Sequence, residues 1–371
     1  MDEPLFLPRP RLQHLLDKLK DTFGRCVGPQ VRDGAIVYDT LDEISQLPTG
    51  VHDAQAPGSY RLASDDSPRA FAWANGPQAL KPLTFAPEEP LWQAQSSEQG
   101  IRFVEQLPKS EPLAVIGVRA CDLAALELQD AHFLDKARDP YYAARRRGLF
   151  LVAVHCSHPA ETCFCASTGD GPGCRSGFDL ALHELDDGYL LEAGSPAGEE
   201  LAAELELAAA ADAQIEQAQQ QLRVARRQQR ELPLNDRTGG DLAQALFDNL
   251  QHPRWQELGE RCLSCGNCTA VCPSCFCHRQ LEQPEIDPNI SQHSRQWDSC
   301  FSEAHSVLHG HPLRADTAQR YRQWLTHKLG SWVEQYGRSG CVGCGRCISW
   351  CPVGIDLTEE VRAIVQGGGD A

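Results

Sequence analysis

Apolar residues recur at helical spacing near the start of the chain, where Leu12, Leu15, Leu16 and Leu19 predict one amphipathic helix. GAIVYD at 34–39 then reads as a strand. Residues 48–98 are rich in Pro, Gly, Ser and Ala, with prolines at 48, 57, 68, 77, 82, 87 and 90, and read as loops and short strands. Two runs, LAVIGV at 113–118 and LFLVAV at 149–154, are short, β-branched and bounded by polar residues, the pattern of strands buried on both faces. CDLAALELQDAHFLDKA lies between them with a helical period, so strand–helix–strand predicts an α/β core. FDLALHELDDGYLLEAG at 178–194 alternates around Asp186, Asp187 and Gly188 and predicts a β-hairpin. Residues 198–232 are dominated by Ala, Leu, Glu, Gln and Arg and predict one long exposed helix or a helical hairpin. A polar, glycine-ended stretch at 235–240 reads as a linker. The pattern therefore divides the chain into an α+β or α/β domain over 1–238 and a second domain over 239–371.

Composition removes several classes of partner. The net charge of −17, from 34 basic and 51 acidic residues, repels phosphate backbones and anionic lipid, so no nucleic acid or membrane partner is expected. The triplet Arg145-Arg146-Arg147 is read as a solvated helix end. No run approaches the roughly 18 consecutive apolar residues of a spanning helix. The first twenty residues lack a basic segment followed by an apolar core, so no secretory signal is read and a cytoplasmic location is expected. Seventeen cysteines, odd in number and bunched, fit metal or redox chemistry better than a disulfide framework in a reducing compartment.

The bunching has a form. Cys262, Cys265, Cys268 and Cys272 follow C-x2-C-x2-C-x3-C-P, and Cys341, Cys344, Cys347 and Cys351 repeat it. This is the bacterial 4Fe-4S run, in which the fourth cysteine serves the other cluster. The expected ligand sets are therefore Cys262, Cys265, Cys268 and Cys351 for one 4Fe-4S cluster, and Cys341, Cys344, Cys347 and Cys272 for the other. Structural zinc uses two cysteine pairs across a longer loop, which this spacing does not match. The link from Cys272 to Cys341 spans 69 positions and contains TAQRYRQWLTHKLGSWVEQYG at 317–337, helical in part. It resembles the alpha-helical ferredoxin module of succinate dehydrogenase and fumarate reductase iron–sulfur subunits, which implies an all-α second domain with two clusters held between helices.

The wider vocabulary is more specific. CLSCGNCTAVCPSCFC, WDSC at 297–300, RYRQWLTHKL at 320–329 and GCVGCGRCISWCPVGID at 340–356 are similar to the beta subunit of cytoplasmic NADP-linked nickel–iron hydrogenases, the sulfhydrogenases. They are equally similar to the iron–sulfur electron-transfer component of anaerobic sulfite reductases. GVRACDLAALE, DPYYAARR, VHCSHPAETCFCAS and GFDLAL extend the resemblance into the first half, leaving residues before about 70 and 200–235 least covered. The resemblance implies a non-catalytic electron carrier. Its partners would be an FAD- and NAD(P)-binding flavoprotein subunit, together with the small and large subunits of a nickel–iron hydrogenase or a sirohaem sulfite reductase subunit. The absence of a G-x-G-x-x-G loop after a strand agrees with a carrier that does not itself bind the dinucleotide. A cluster-based redox sensor or scaffold is the rival of another class, disfavoured by the acidic charge.

Nine cysteines remain. Cys121 follows the first buried strand and Cys156 the second, so both would emerge at one carboxyl edge if the strands are parallel neighbours, with Cys163 and Cys165 on the next loop. Four converging thiols would suit a third 4Fe-4S cluster; zinc or ordinary buried thiols are the alternatives. Cys275, Cys277 and Cys300 are read as packing around the clusters, because no basic group or helix start is evident beside the C-x-C pair. Cys26 and Cys174 are unassigned. His305, His309 and His311 are read as a surface turn rather than a metal site, and His155 as a neighbour that tunes a cluster.

Overall fold

The computed structural model describes residues 4–233 and 240–366. The linker expected at 235–240 lies almost wholly outside the described residues. The runs 113–118 and 149–154 form adjacent parallel strands, in register from Leu113 against Leu149. They sit at the centre of an eight-stranded sheet, whose order is Ala208–Ala209, Leu5–Pro8, Gly188–Ala193, Leu180–Glu184, Leu149–Val154, Leu113–Val118, Cys26–Arg32 and Ala35–Thr40. Burial on both faces explains why these two runs are apolar throughout. One face packs against the helix Leu12–Phe23 through Leu12, Leu15, Leu16 and Leu19. The other is covered by Ala120–Asp130 and Pro140–Arg147, through Leu123, Leu126 and Tyr142. Asp139 starts the second of these helices by accepting from the backbone N–H groups of Tyr141 and Tyr142, both at 2.9 Å.

The hairpin expected at 178–194 is present, pairing Leu182 with Leu191. Residues 198–232 do not form one long helix. Pro196–Glu204 and Asp212–Arg227 are separate helices, because Ala208–Ala209 leaves the helical path to pair with Leu5 and Phe6. Residues 48–98 also hold a longer element than expected, the ten-residue strand Glu88–Ser97.

The second half departs from an all-α domain. His278–Pro284 and Ile290–Trp297 form a β-hairpin that joins Glu88–Ser97 and Gly100–Glu105 in a four-stranded antiparallel sheet crossing the 238/239 division. HRQLEQP and ISQHSRQW carry little apolar alternation, so their pairing depends on contacts across the halves. The buried Arg295 donates to Glu89 at 2.9 Å, and His293 stacks on Trp92 with centroids 4.4 Å apart. The helical stretch expected at 317–337 is present as Thr317–Thr326, a wider π turn over His327–Ser331, and Trp332–Tyr336.

Candidate metal centres

Each cysteine run leaves helical geometry at its glycines. Gly266 (φ 78°), Gly343 (φ 64°) and Gly345 (φ 72°) hold left-handed conformations between the thiols. These turns aim backbone donors at sulfur. Ser264 N–H lies 3.4 Å from Cys262 Sγ, and Ile355 N–H lies 3.3 Å from Cys351 Sγ.

The thiols line three cavities. The first, with about 450 Å³ of space unfilled by protein, is walled by Cys262, Cys265, Cys268 and Cys351, and closed by Phe301, Tyr321 and Trp324. Cys272 has left its own run and lines a second cavity of about 400 Å³ with Cys341, Cys344 and Cys347. A third, of about 380 Å³, brings together Cys121, Cys156, Cys163 and Cys165 at the carboxyl edge of the central strands. The cavities form a row: Cys347 lines the first and second, and Cys344 lines the second and third.

The loop carrying Cys163 and Cys165 is fixed by the second cysteine run. Phe164 N–H donates to Gly343 O at 2.8 Å, and a Cβ on Gly343 would lie 2.5 Å from the Cys165 backbone. From the other side, the residues after the helix 212–227 close the third cavity. Gln229 accepts from Ala166 N–H at 2.8 Å, while its buried amide nitrogen has no partner.

The charges around these cavities are unusual for an interior. Lys328 is buried, its Nζ donates to Ser274 Oγ at 3.0 Å, and Cys272 Sγ lies 3.4 Å from that same oxygen. Burial alone would lower the lysine's pKa, but the thiols of Cys272, Cys275 and Cys341 outweigh it and hold the pKa raised. Lys81, also buried, donates to the carbonyls of Thr269, Ala270 and Cys272 at 3.2–3.3 Å. No carboxylate pairs with either lysine among the described residues. Two buried ammonium groups without carboxylates imply anionic charge supplied by sulfur. Between the second and third cavities, Arg346 and Asp122 form a fully buried ion pair at 2.9 Å.

Burial pushes the thiol pKa up at Cys121, Cys163, Cys165, Cys268 and Cys347, so these groups are protonated unless a metal takes the proton's place. Cys272 is held well below the usual thiol range, first by hydrogen bonding from Cys275 and then by Lys328. No group of three or more His, Cys, Asp or Glu side chains is arranged to hold a single metal ion among the described residues. Four-thiol cavities with aimed backbone N–H groups and unpaired cations instead fit a polynuclear anionic cluster. Sequence reasoning missed Lys81, Lys328, the Arg346–Asp122 pair and Gln229, which lie far in sequence from most of the thiols they serve. His309 and His311 lie on an exposed turn, whereas His305 turns inward to Cys277.

These features define the class as an iron–sulfur protein with paired clusters. Residues 261–355 match the 4Fe-4S dicluster domain family, which implies two 4Fe-4S clusters. Over 292 residues the chain is 31% identical to sulfhydrogenase 2 subunit beta of Pyrococcus furiosus, covering 76% of this chain and 82% of that protein. The chain belongs to the sulfhydrogenase beta-subunit family, and is an iron–sulfur electron-transfer subunit. No solved structure matches it. No helix among the described residues is long and apolar enough to cross a membrane.

Proposed function

We propose that this chain relays single electrons, in the cytoplasm, from an FAD- and NAD(P)-binding flavoprotein subunit to the small and large subunits of a nickel–iron hydrogenase, or in the reverse direction. Cys262, Cys265, Cys268 and Cys351 would hold one 4Fe-4S cluster, and Cys272, Cys341, Cys344 and Cys347 the second. Cys121, Cys156, Cys163 and Cys165 would hold a third. The observation that carries the reading is the row of three thiol-lined cavities joined through Cys347 and Cys344.

Bound 4Fe-4S groups supply one-electron redox change at potentials set by charge, hydrogen bonding and solvent. The chain's own residues set those conditions. Phe301, Tyr321 and Trp324 limit water at the first cavity, Ser264 and Ile355 direct N–H groups at sulfur, and Lys328 offsets negative charge at the second. Nothing in this arrangement calls for bond-making chemistry at the cavities.

Anaerobic affinity purification of the native complex, with partner identification and iron analysis, tests the proposal. A nickel-containing pair with a flavoprotein, and about twelve irons per copy of this chain when it is isolated, are expected. A sirohaem partner would replace the hydrogenase assignment. About eight irons would remove the third cluster, and isolation without partners would refute the relay.

A further inference from the structure

Cys275 and Cys277, neighbours in sequence, part company in the fold. The Cys275 thiol contacts Cys272. Cys277 precedes the strand 278–284 and Cys300 follows its partner 290–297, so the paired strand ends bring these two together. Asp298 N–H donates to Cys277 O at 2.9 Å, and the thiols of Cys277 and Cys300 are within hydrogen-bonding reach. From the turn Glu303–Ser306, the His305 imidazole also reaches Cys277, and its Nδ1 lies 3.5 Å from Asp298 Oδ2. A thiol, an imidazole and a carboxylate thus stand in sequence, with a second thiol beside the first. They are not arranged as a site for a single metal ion.

The site is open to ligand. A cavity of about 720 Å³ is lined by Cys277, Cys275, Lys81, Trp297 and Asp298, and reaches Cys265 of the first cluster cavity. Lys81 Nζ lies 3.8 Å from the Trp297 ring centroid and has no carboxylate partner among the described residues, which favours an anionic occupant.

We infer that Cys277 and Cys300 form a thiol–disulfide exchange site for small anionic disulfides, with Cys277 attacking, Cys300 resolving, and His305 held by Asp298 to take the Cys277 proton. The Cys277 thiolate attacks one sulfur of the substrate, the S–S bond breaks, and one thiolate leaves. The Cys300 sulfur then attacks Cys277 Sγ and expels the second thiol, which carries the Cys300 proton. Two substrate sulfurs are reduced and the two cysteine sulfurs are oxidised to a disulfide. Two electrons and two solvent protons restore the dithiol, and this step alone rests on the electron-relay reading above. The electrostatics agree with the order of attack. Hydrogen bonding from Cys300 and then His305 outweighs burial and lowers the Cys277 pKa to about 4, while that of Cys300 is raised.

The test uses the full chain, purified anaerobically and treated with glutathione disulfide as the anionic probe, followed by peptide mass mapping. Wild type is expected to form the Cys277–Cys300 disulfide and release two glutathiones. Cys300→Ser should trap glutathione on Cys277. His305→Gln should slow alkylation of Cys277 by roughly tenfold, as thiolate content falls toward that of a free thiol near pH 7. The cationic disulfide cystamine should react more slowly than glutathione disulfide. Cys277→Ser should keep the wild-type iron content. Unmodified Cys277 in Cys300→Ser would overturn the inference, as would iron loss in Cys277→Ser, which would make Cys277 a cluster ligand. The trapping needs no electron supply. A dithiol that exchanges but is not regenerated by the reduced complex would refute the relay reading while leaving the exchange site intact.

Discussion

Replacing Lys328 by Met removes the ammonium group that lines the second thiol cavity while keeping a similar length of apolar chain. The 3.0 Å leg from Nζ to Ser274 Oγ and the 3.4 Å leg from that oxygen to Cys272 Sγ place the charge within about 6.4 Å of the sulfur. With an effective dielectric constant of about 20, a unit charge at that distance is worth about 2.6 kcal/mol to an added electron, or roughly 110 mV for a one-electron couple. The variant should therefore lower the midpoint potential of one cluster by about 100 mV and leave the others nearly unchanged. Redox titration followed by electron paramagnetic resonance measures this, with iron content showing that the clusters are retained. Lys328→Arg should recover most of the potential, since the charge returns. A shift below about 20 mV, or one toward positive potential, in a protein with full iron content would refute the reasoning.

Other positions give independent checks. Asp122→Asn strands the buried Arg346 and should reduce unfolding free energy by about 3–5 kcal/mol in anaerobic denaturant titration, with Asp122→Asn/Arg346→Met less damaging than the single change. Gly343→Ala combines a positive φ with a Cβ 2.5 Å from the Cys165 backbone, and should disturb the third cavity, read as lower iron content and thermal stability. His183 is buried, which lowers its pKa from 6.5 to about 4, so the unfolded chain binds more protons between these values. Its contribution to stability is complete above pH 6.5 and is lost as pH falls toward 4; His183→Gln should flatten that part of a stability–pH curve.

The central α/β layer was legible because its strands are buried on both faces, and LAVIGV and LFLVAV announce that without help from neighbours. The cysteine runs were legible for a different reason: their spacing is dictated by the cluster they must wrap, so chemistry leaves a mark that no packing alternative shares. The hairpin 278–297 was not legible. Its residues are mostly polar, and it is held by a sheet edge nearly two hundred positions away, through contacts such as Arg295 with Glu89. Lys81 and Lys328 escaped notice in the same way, since a lysine in LKPL or THKL looks like any solvated cation until the fold buries it. The Cys277 site failed locally: the base it needs, His305, stands in AHSVLHGHP, where the histidines read as one surface turn.

The central claim, that electrons cross this chain through the thiol-lined row, is tested most directly in the purified complex carrying Cys344→Ser, by comparing NADPH-driven with reduced-viologen-driven hydrogen evolution. Cys344 lines both the second and third cavities, so its loss interrupts the row. The account predicts that NADPH-driven evolution is lost while viologen-driven evolution at the hydrogenase partner continues. Wild-type NADPH-driven turnover in that variant would contradict it.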